Sequence, residues 1–234
     1  MKFAIIISTY YRNDGKSKEY LYRAISSITN QTYKNYKIFL IGDKYDKPNE
    51  IYDIINSLNI EKIYFENLPY AKEREKYTGN QLWSYGGVNA VNYGITKILE
   101  EGFEYVCHLD HDDWWYDNHL ELINKCINDT NSDWICTKST FGSPTRFLPT
   151  INSNELYVNF LPQSSRLIHS SVCMNFKKIP LRHRNVFDET GKSGLPGDAD
   201  LWLRISEYLI NNNLNGVLVN KITCKHIEEG FERK

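Results

Sequence analysis

Asp110-His111-Asp112-Asp113 follows directly on the largely apolar run Glu104-Tyr105-Val106-Cys107-His108-Leu109. A strand that ends in clustered carboxylates sets hard oxygen ligands at the carboxyl edge of a sheet, where open α/β sheets bind their ligands. Asp110 and Asp112 can both reach one small divalent cation if the backbone turns between them. Mg²⁺ and Mn²⁺ take such oxygens and share them with substrate phosphates. The chemistry suggested is that of an enzyme handling a nucleotide diphosphate through a metal. The plain alternative is helix capping, because acidic residues after a strand often start the next helix, and Asp117-Asn118 would serve a helix from Leu120 to Ile127 equally well. Trp114-Trp115, next along the chain, would wall a cleft and favours the metal reading.

The elements that must carry this cluster are readable from hydrophobic periodicity. Phe3 to Ser8 is a continuous apolar strand of the kind buried on both faces of a parallel sheet. Leu21, Ile25 and Ile28 recur at helical spacing up to Gln31. Tyr36 to Ile41 is a second strand closing at Gly42-Asp43; Ile51, Ile54, Ile55 and Leu58 mark a helix, and Ile60 to Phe65 a third strand. The order β-α-β-α-β implies right-handed crossovers and a parallel sheet. Residues 67 to 84 lack periodicity, are rich in charge and read as an exposed loop. Val88 to Leu99 is a helix feeding the strand that ends at Asp110. A helix over 118 to 128 and a strand near Trp134 to Lys138 follow. Gly142, Pro144, Pro149 and Pro162 then predict hairpins and loops between Ser139 and Ser165, where acceptor-binding elements are expected. Ser170 to Phe176 is a strand, Leu201 to Ile210 a helix and Gly216 to Cys224 the last strand. No repeat or linker interrupts the pattern, so one domain over 1–234 is expected.

The 234 residues suffice for one closed core. A formal charge of −1 argues against a nucleic-acid partner, which calls for a basic excess on one face. Lys177-Lys178 and Arg182-His183-Arg184 are short basic clusters that read as solvated surface. The run Met1 to Ile7 is too short for a signal peptide and lacks a cleavage site. No apolar run reaches the roughly 20 residues that span a bilayer. Five cysteines without C-x-x-C spacing read as reduced core thiols. These features together lead to the expectation of a soluble, cytoplasmic protein.

From Phe3 to His226 the chain resembles a family 2 glycosyltransferase. Ile7-Ser8-Thr9-Tyr10-Tyr11-Arg12 resembles the family's first strand and nucleotide-binding turn. Ser26-Ser27-Ile28, Gln31-Thr32-Tyr33 and Asp43 resemble its first helix, the turn after it and the acidic end of its second strand. Asn89 to Gly94 resembles the stretch written A-R-N-x-G, with Val91 in the place of the arginine. Leu109 to Asp113 matches the family's D-x-D. Val186-Phe187-Asp188-Glu189 resembles G-F-D-E, and Gly197 to Arg204 resembles E-D-x-D-L-W-L-R, with Gly197 in the place of the glutamate.

The resemblance implies an α/β fold of GT-A type, a mostly parallel central sheet flanked by helices. Its nucleotide-binding part would be about 1–113 and its acceptor-binding part about 114–234. It implies a hexosyltransferase-type enzyme moving a sugar from a nucleotide-sugar, a UDP-sugar by family frequency, to a glycan or other hydroxyl-bearing acceptor. Thr9, Tyr10, Arg12 and Asn92 would contact the donor, Asp43 its uracil or ribose, and Asp110 its ribose or the metal through water. Mn²⁺ or Mg²⁺ would sit on Asp112, with Asp110 and His226 as further ligands. Asp198 falls where the family carries its base, with inversion following, and Asp200 is its rival. Trp114 is a candidate for stacking on a sugar face, whereas Trp202 reads as core. Asp113 is either a site residue or helix-start polarity. The competing reading is a non-catalytic nucleotide-sugar or glycan-binding module. A pyrophosphorylase would want a glycine-rich basic loop after the first strand, and a phosphatase its Asp pair there; neither is present.

Overall fold

The computed structural model describes residues 1–164, 166–184, 195 and 197–227. Strand β1 (Phe3–Thr9) pairs in parallel with β2 (Tyr36–Gly42) on one side and β4 (Tyr105–His108) on the other, and β2 pairs in parallel with β3 (Ile63–Asn67). Alternation along β1 decides which helices lie on which face. Phe3, Ile5 and Ile7 point into a core with Leu21, Ala24, Ile25 and Ile28 of α1 (Ser17–Thr29), Ile51 and Ile54 of α2 (Pro48–Ser57), and Leu120 and Ile123 of α6 (His119–Thr130). Ala4 and Ile6 point into a second core with Ala90, Val91, Ile95 and Ile98 of α5 (Val88–Glu100), and Leu201, Ile205 and Leu209 of α7 (Gly197–Asn211). Helices thus cover both faces, the condition under which continuous apolar strands are stable. Gly94 permits the closest helix–strand approach: a Cβ there would lie 2.2 Å from Ile6 Cδ1.

Beyond β4 the sheet becomes mixed. Strand β9 (Val172–Asn175) runs antiparallel between β4 and β6 (Trp134–Phe141), and β6 is parallel to β10 (Gly216–His226). β7 (Ser143–Leu148) folds back on β6 about Gly142. β8 (Tyr157–Asn159) and β5 (Trp114–Trp115) each lie antiparallel on β10. Parallel pairing is thus concentrated in the order β3-β2-β1-β4, where helices make the crossovers; a short hairpin link can only join antiparallel strands.

Two local expectations change. The third strand starts at Ile63, not Ile60, because Asn59 turns the chain with a φ of +49°. Residues 67 to 84 are not one exposed loop: α3 (Lys72–Lys76) and α4 (Gly79–Tyr85) form there, and Leu68, Ala71 and Glu73 are buried. The two-residue strand β5 had no legible signal. All five cysteines are buried and unpaired, and among the described residues no helix is long and apolar enough to cross a membrane.

Candidate active site

Four parallel strands end on one edge. Thr9 closes β1, Asp43 follows β2, Asn67 closes β3 and Asp110 follows β4. The edge is stitched by Asp43 N–H donating to Thr9 O at 2.7 Å and Leu68 N–H to Gly42 O at 2.8 Å. Gly42 is required here, since a Cβ would fall 2.3 Å from Asn67 Oδ1. The Asn67 amide accepts from Tyr45 N–H at 2.8 Å and donates to Tyr45 O at 3.0 Å, which shapes the turn after Asp43.

Asp43 is buried, and Arg74 Nε donates to its Oδ2 at 3.0 Å while Arg74 Nη2 donates to its carbonyl. Burial pushes the Asp43 carboxyl up, and Arg74 only partly offsets this. Its Oδ1 is buried without a hydrogen-bond partner. The Arg74 guanidinium also lies 4.9 Å from the Tyr10 ring centre, and that ring meets His111 edge-on at 5.2 Å. Beside it, Glu73 accepts from Asn89 N–H at 3.1 Å, tying α3 to α5, and burial pushes its carboxyl up to about 7.

The loop after β4 splits its carboxylates between two tasks. Asp110 Oδ1 meets His169 Nδ1 at 3.2 Å, in the 3-10 turn His169–Ser171. Burial opposes the Asp110 charge, but His169 outweighs it and holds the carboxyl well below its usual range. Ser170 Oγ accepts from Asp110 N–H at 3.0 Å and donates to Asp113 Oδ2 at 2.5 Å. Asp113 is fully buried and also accepts from His226 Nδ1 at 3.0 Å and Ile227 N–H at 3.1 Å. It is therefore no helix cap; it fastens the loop to the end of β10. Asp112 is buried, its carbonyl accepting from Arg23 at 2.8 Å and its Oδ2 lying 3.7 Å from Arg12 Nη1.

Asp198 stands in the first turn of α7 with its side chain 55% exposed, and its Oδ1 lies 3.9 Å from His183 Nδ1. Asp200, its rival, is buried, and its Oδ2 is paired with Arg204 Nε at 2.7 Å and Arg184 Nε at 3.3 Å. A Cβ at Gly197 would lie 3.2 Å from the Ser84 carbonyl, so the glutamate of the resembled stretch would need α4 and α7 to part by a few tenths of an ångström.

The sequence profile of glycosyl transferase family 2 matches residues 4–193. The chain belongs to glycosyl transferase family 2. An uncharacterised glycosyltransferase of Acanthamoeba polyphaga mimivirus is 34% identical over 237 residues, covering 98% of this chain and 95% of that protein. One from Rickettsia bellii is 25% identical over 217 residues, but the match spans only 27% of its length. The S. aureus protein TarS, crystallised with UDP-GlcNAc, has a TM-score of 0.69 at 15% identity, covering 98% of this chain and 59% of that one. TarS with UDP gives the same TM-score at 16% identity, over 97% of this chain and 61% of that one. These likenesses show the GT-A fold.

In this glycosyltransferase the remaining anticipated residues fall in varied settings. Thr9 is buried, with Oγ1 lacking a partner. Arg12 pairs with Asp14 at 3.0 Å as well as facing Asp112. The Asn92 amide donates to the His183 carbonyl at 2.8 Å, supporting that segment from α5. Trp114 has the Arg23 guanidinium 4.2 Å and the Lys225 ammonium 4.6 Å from its ring centre. Trp115 and Trp202 are core residues. Val186 to Glu189 lies outside the described residues.

The oxygen donors Asp110 and Asp112 suit a hard cation, with Asp110 kept ionised by His169. His226 spends Nδ1 on Asp113 and stacks on Phe141 at 5.4 Å. Among the described residues, the trio whose ligand atoms lie within 4.8 Å of one another is His169, His183 and Asp198, not Asp110, Asp112 and His226.

Arg182-His183-Arg184 is only partly solvated surface: Arg182 donates to Thr96 Oγ1 at 2.7 Å, His183 is buried, and the exposed Arg184 pairs with Asp200. Sequence reasoning missed Arg74, Asn67, His169 and His183. Asn67 alone carried a signal, as the polar end of a strand beside Asp43. A groove of about 450 Å³ beside β5 is lined by Tyr116, Asp117, Thr140, Pro144, Ile222 and Lys225.

Proposed function

We propose that this enzyme transfers a sugar from a UDP-sugar to a hydroxyl of a glycan or similar acceptor, with Mn²⁺ or Mg²⁺ as cofactor and inversion at the anomeric carbon. The observation that carries the reading is the single edge on which Asp43 with Arg74 and Asp110 with Asp112 stand on either side of the end of β1. The unpartnered Asp43 Oδ1 is an acceptor suited to a uracil N–H or a ribose hydroxyl. The crystal structures of TarS with UDP and UDP-GlcNAc support that base.

Asp110 and Asp112 would hold the cation, which when bound acts as a Lewis acid neutralising the departing diphosphate. Arg12, beside Asp112, adds positive charge to the same place. Asp198 takes the acceptor proton as the acceptor oxygen bonds to the anomeric carbon and the carbon–phosphate oxygen bond breaks. Its exposure gives an acceptor access, and general-base help of this kind is worth about 10²–10⁴-fold. The groove beside β5, next to Trp114, is the surface on which we place the acceptor.

Thermal unfolding with a panel of nucleotide sugars, each with Mn²⁺ or EDTA, tests the donor site. A UDP-sugar at a hundredfold over its Kd should stabilise wild type by about 2.7 kcal/mol, with metal only, and leave Asp112→Ala unmoved. Asp198→Asn should keep that shift while transfer falls about 10²–10⁴-fold. Near-normal transfer by that variant, or a product with the donor's anomeric configuration, removes Asp198 as base. Silence across a folded panel would put the non-catalytic module ahead.

A further inference from the structure

His169, His183 and Asp198 come together from three separate places: the 3-10 turn before β9, the segment after residue 180, and the start of α7. Their ligand atoms all lie within 4.8 Å of one another. The two imidazoles are nearly enclosed, with side-chain exposures of 10% for His169 and 4% for His183. Enclosed ring nitrogens ordinarily have partners, since an unpaired buried polar group costs about 1–3 kcal/mol. Yet His169 Nε2 and both ring nitrogens of His183 are buried without a well-formed hydrogen bond, His183 having the Gly197 backbone and, at 3.9 Å, Asp198 Oδ1 beside it.

The surroundings hold these rings in place. Asp110 Oδ1 engages His169 Nδ1 at 3.2 Å, which keeps a proton on that nitrogen and makes Nε2 the position at which a metal ion would displace a proton. A carboxylate behind an imidazole in this way is the usual support of a metal-bound histidine. The His183 segment is gripped on both sides, by Asn92 donating to His183 O at 2.8 Å and Arg204 donating to Arg182 O at 2.9 Å.

We propose that His169, His183 and Asp198 form a cation site of their own, separate from the Asp110 and Asp112 oxygens, that takes a borderline transition ion, Zn²⁺ foremost. Two imidazoles and one carboxylate are a donor set for Zn²⁺ or Co²⁺, whereas Mg²⁺ keeps to oxygen ligands. The two sites therefore sort cations by ligand chemistry within one cleft. Zn–N bonds of about 2.0–2.1 Å set neighbouring ligands of a tetrahedral ion about 3.3 Å apart, so the trio closes by up to about 1.5 Å on binding. Asp198, the exposed member, has the room to make that movement. Three protein ligands leave a fourth position for water or an acceptor oxygen. A filled site also commits the Asp198 lone pair to the ion, so Zn²⁺ slows transfer as it binds; this consequence alone rests on Asp198 being the base.

The test is a titration of the full chain, stripped with EDTA and desalted, with Co²⁺ followed visibly and then displaced by Zn²⁺. Wild type and Asp112→Ala should each take one Co²⁺ into a coloured, low-coordinate site. His183→Ala and Asp198→Ala should lose it, by more than the about 10–100-fold that follows loss of a group merely supporting a ligand. Because Asp198 is exposed, its variant keeps the fold and decides the matter even if His183→Ala does not. Equal coloured binding by Asp198→Ala, loss of binding in Asp112→Ala, or no coloured complex in wild type at millimolar Co²⁺ each overturns the site. No nucleotide sugar enters the titration, so its outcome is independent of the transfer reading.

Discussion

Two carboxylate–imidazole pairs flank the loop after β4, three residues apart. Asp113 meets His226 at 3.0 Å with its side chain fully buried, and Ser170 and Ile227 donate to it as well. Asp110 meets His169 at 3.2 Å, but 39% of its side chain is exposed and its described side-chain partner is that one ring. Both imidazoles behave alike: burial presses them toward neutrality, the carboxylates prevail, and each is pushed up to about 9. Charge pairing therefore does not tell the two apart. What separates them is how many lone pairs remain. Asp113 is saturated and holds the fold, whereas Asp110 keeps oxygen valence turned toward the cleft.

Asp113→Ala should break the comparison most visibly. It strands a charged imidazole, a hydroxyl and a backbone N–H around a buried void, and loss of one partner of a buried pair costs about 3–5 kcal/mol. Urea denaturation measures this, and a loss below about 1 kcal/mol would mean that the pair is not structural.

The pH dependence comes next. His226 has a folded value of about 9 against an ordinary 6.5, so it binds more protons folded than unfolded between those limits. Its stabilisation is complete below pH 6.5 and is lost as pH rises through about 9, an effect of at most about 3 kcal/mol. His169 acts in the same sense. Stability measured from pH 6.5 to 9.5 should fall, and Asp113→Asn and Asp110→Asn should each flatten the curve. A flat wild-type curve would contradict both pairings.

Asp110→Asn should have the smallest effect on stability, within about 1 kcal/mol, because more than a third of that side chain is in water and exposed pairs contribute little. Metal-dependent donor binding should nonetheless drop, read by the same nucleotide-sugar thermal shift. A stability loss approaching that of Asp113→Ala would erase the distinction.

The parallel half of the sheet was largely legible. Its strands are largely apolar runs, its helices carry apolar residues at three- and four-residue spacing, and polar residues at the strand ends mark the binding edge. The stretch from 67 to 84 was not, because its charges suggested solvent while Glu73 is buried and Arg74 reaches Asp43, 31 residues away. His183 was hidden for the same reason, lying between two arginines that turn out to be engaged. By sequence Asp113 reads as a site residue or as helix-start polarity, since nothing in four consecutive residues says which will be enclosed.

The sequence by itself determined the β-α-β-α-β order, the strand that ends in carboxylates, and the glycine at 197 where the resembled stretch has glutamate. These are local properties, set by hydrophobic period and residue type. Only the tertiary structure decided which carboxylate is spent on the fold, that Arg74 faces Asp43, and that two buried histidines stand beside Asp198. Those partnerships depend on β9 inserting antiparallel between β4 and β6 and on β10 ending over the carboxylate loop. Strand order joins residues tens of positions apart, and no periodicity along the chain encodes which of them will meet.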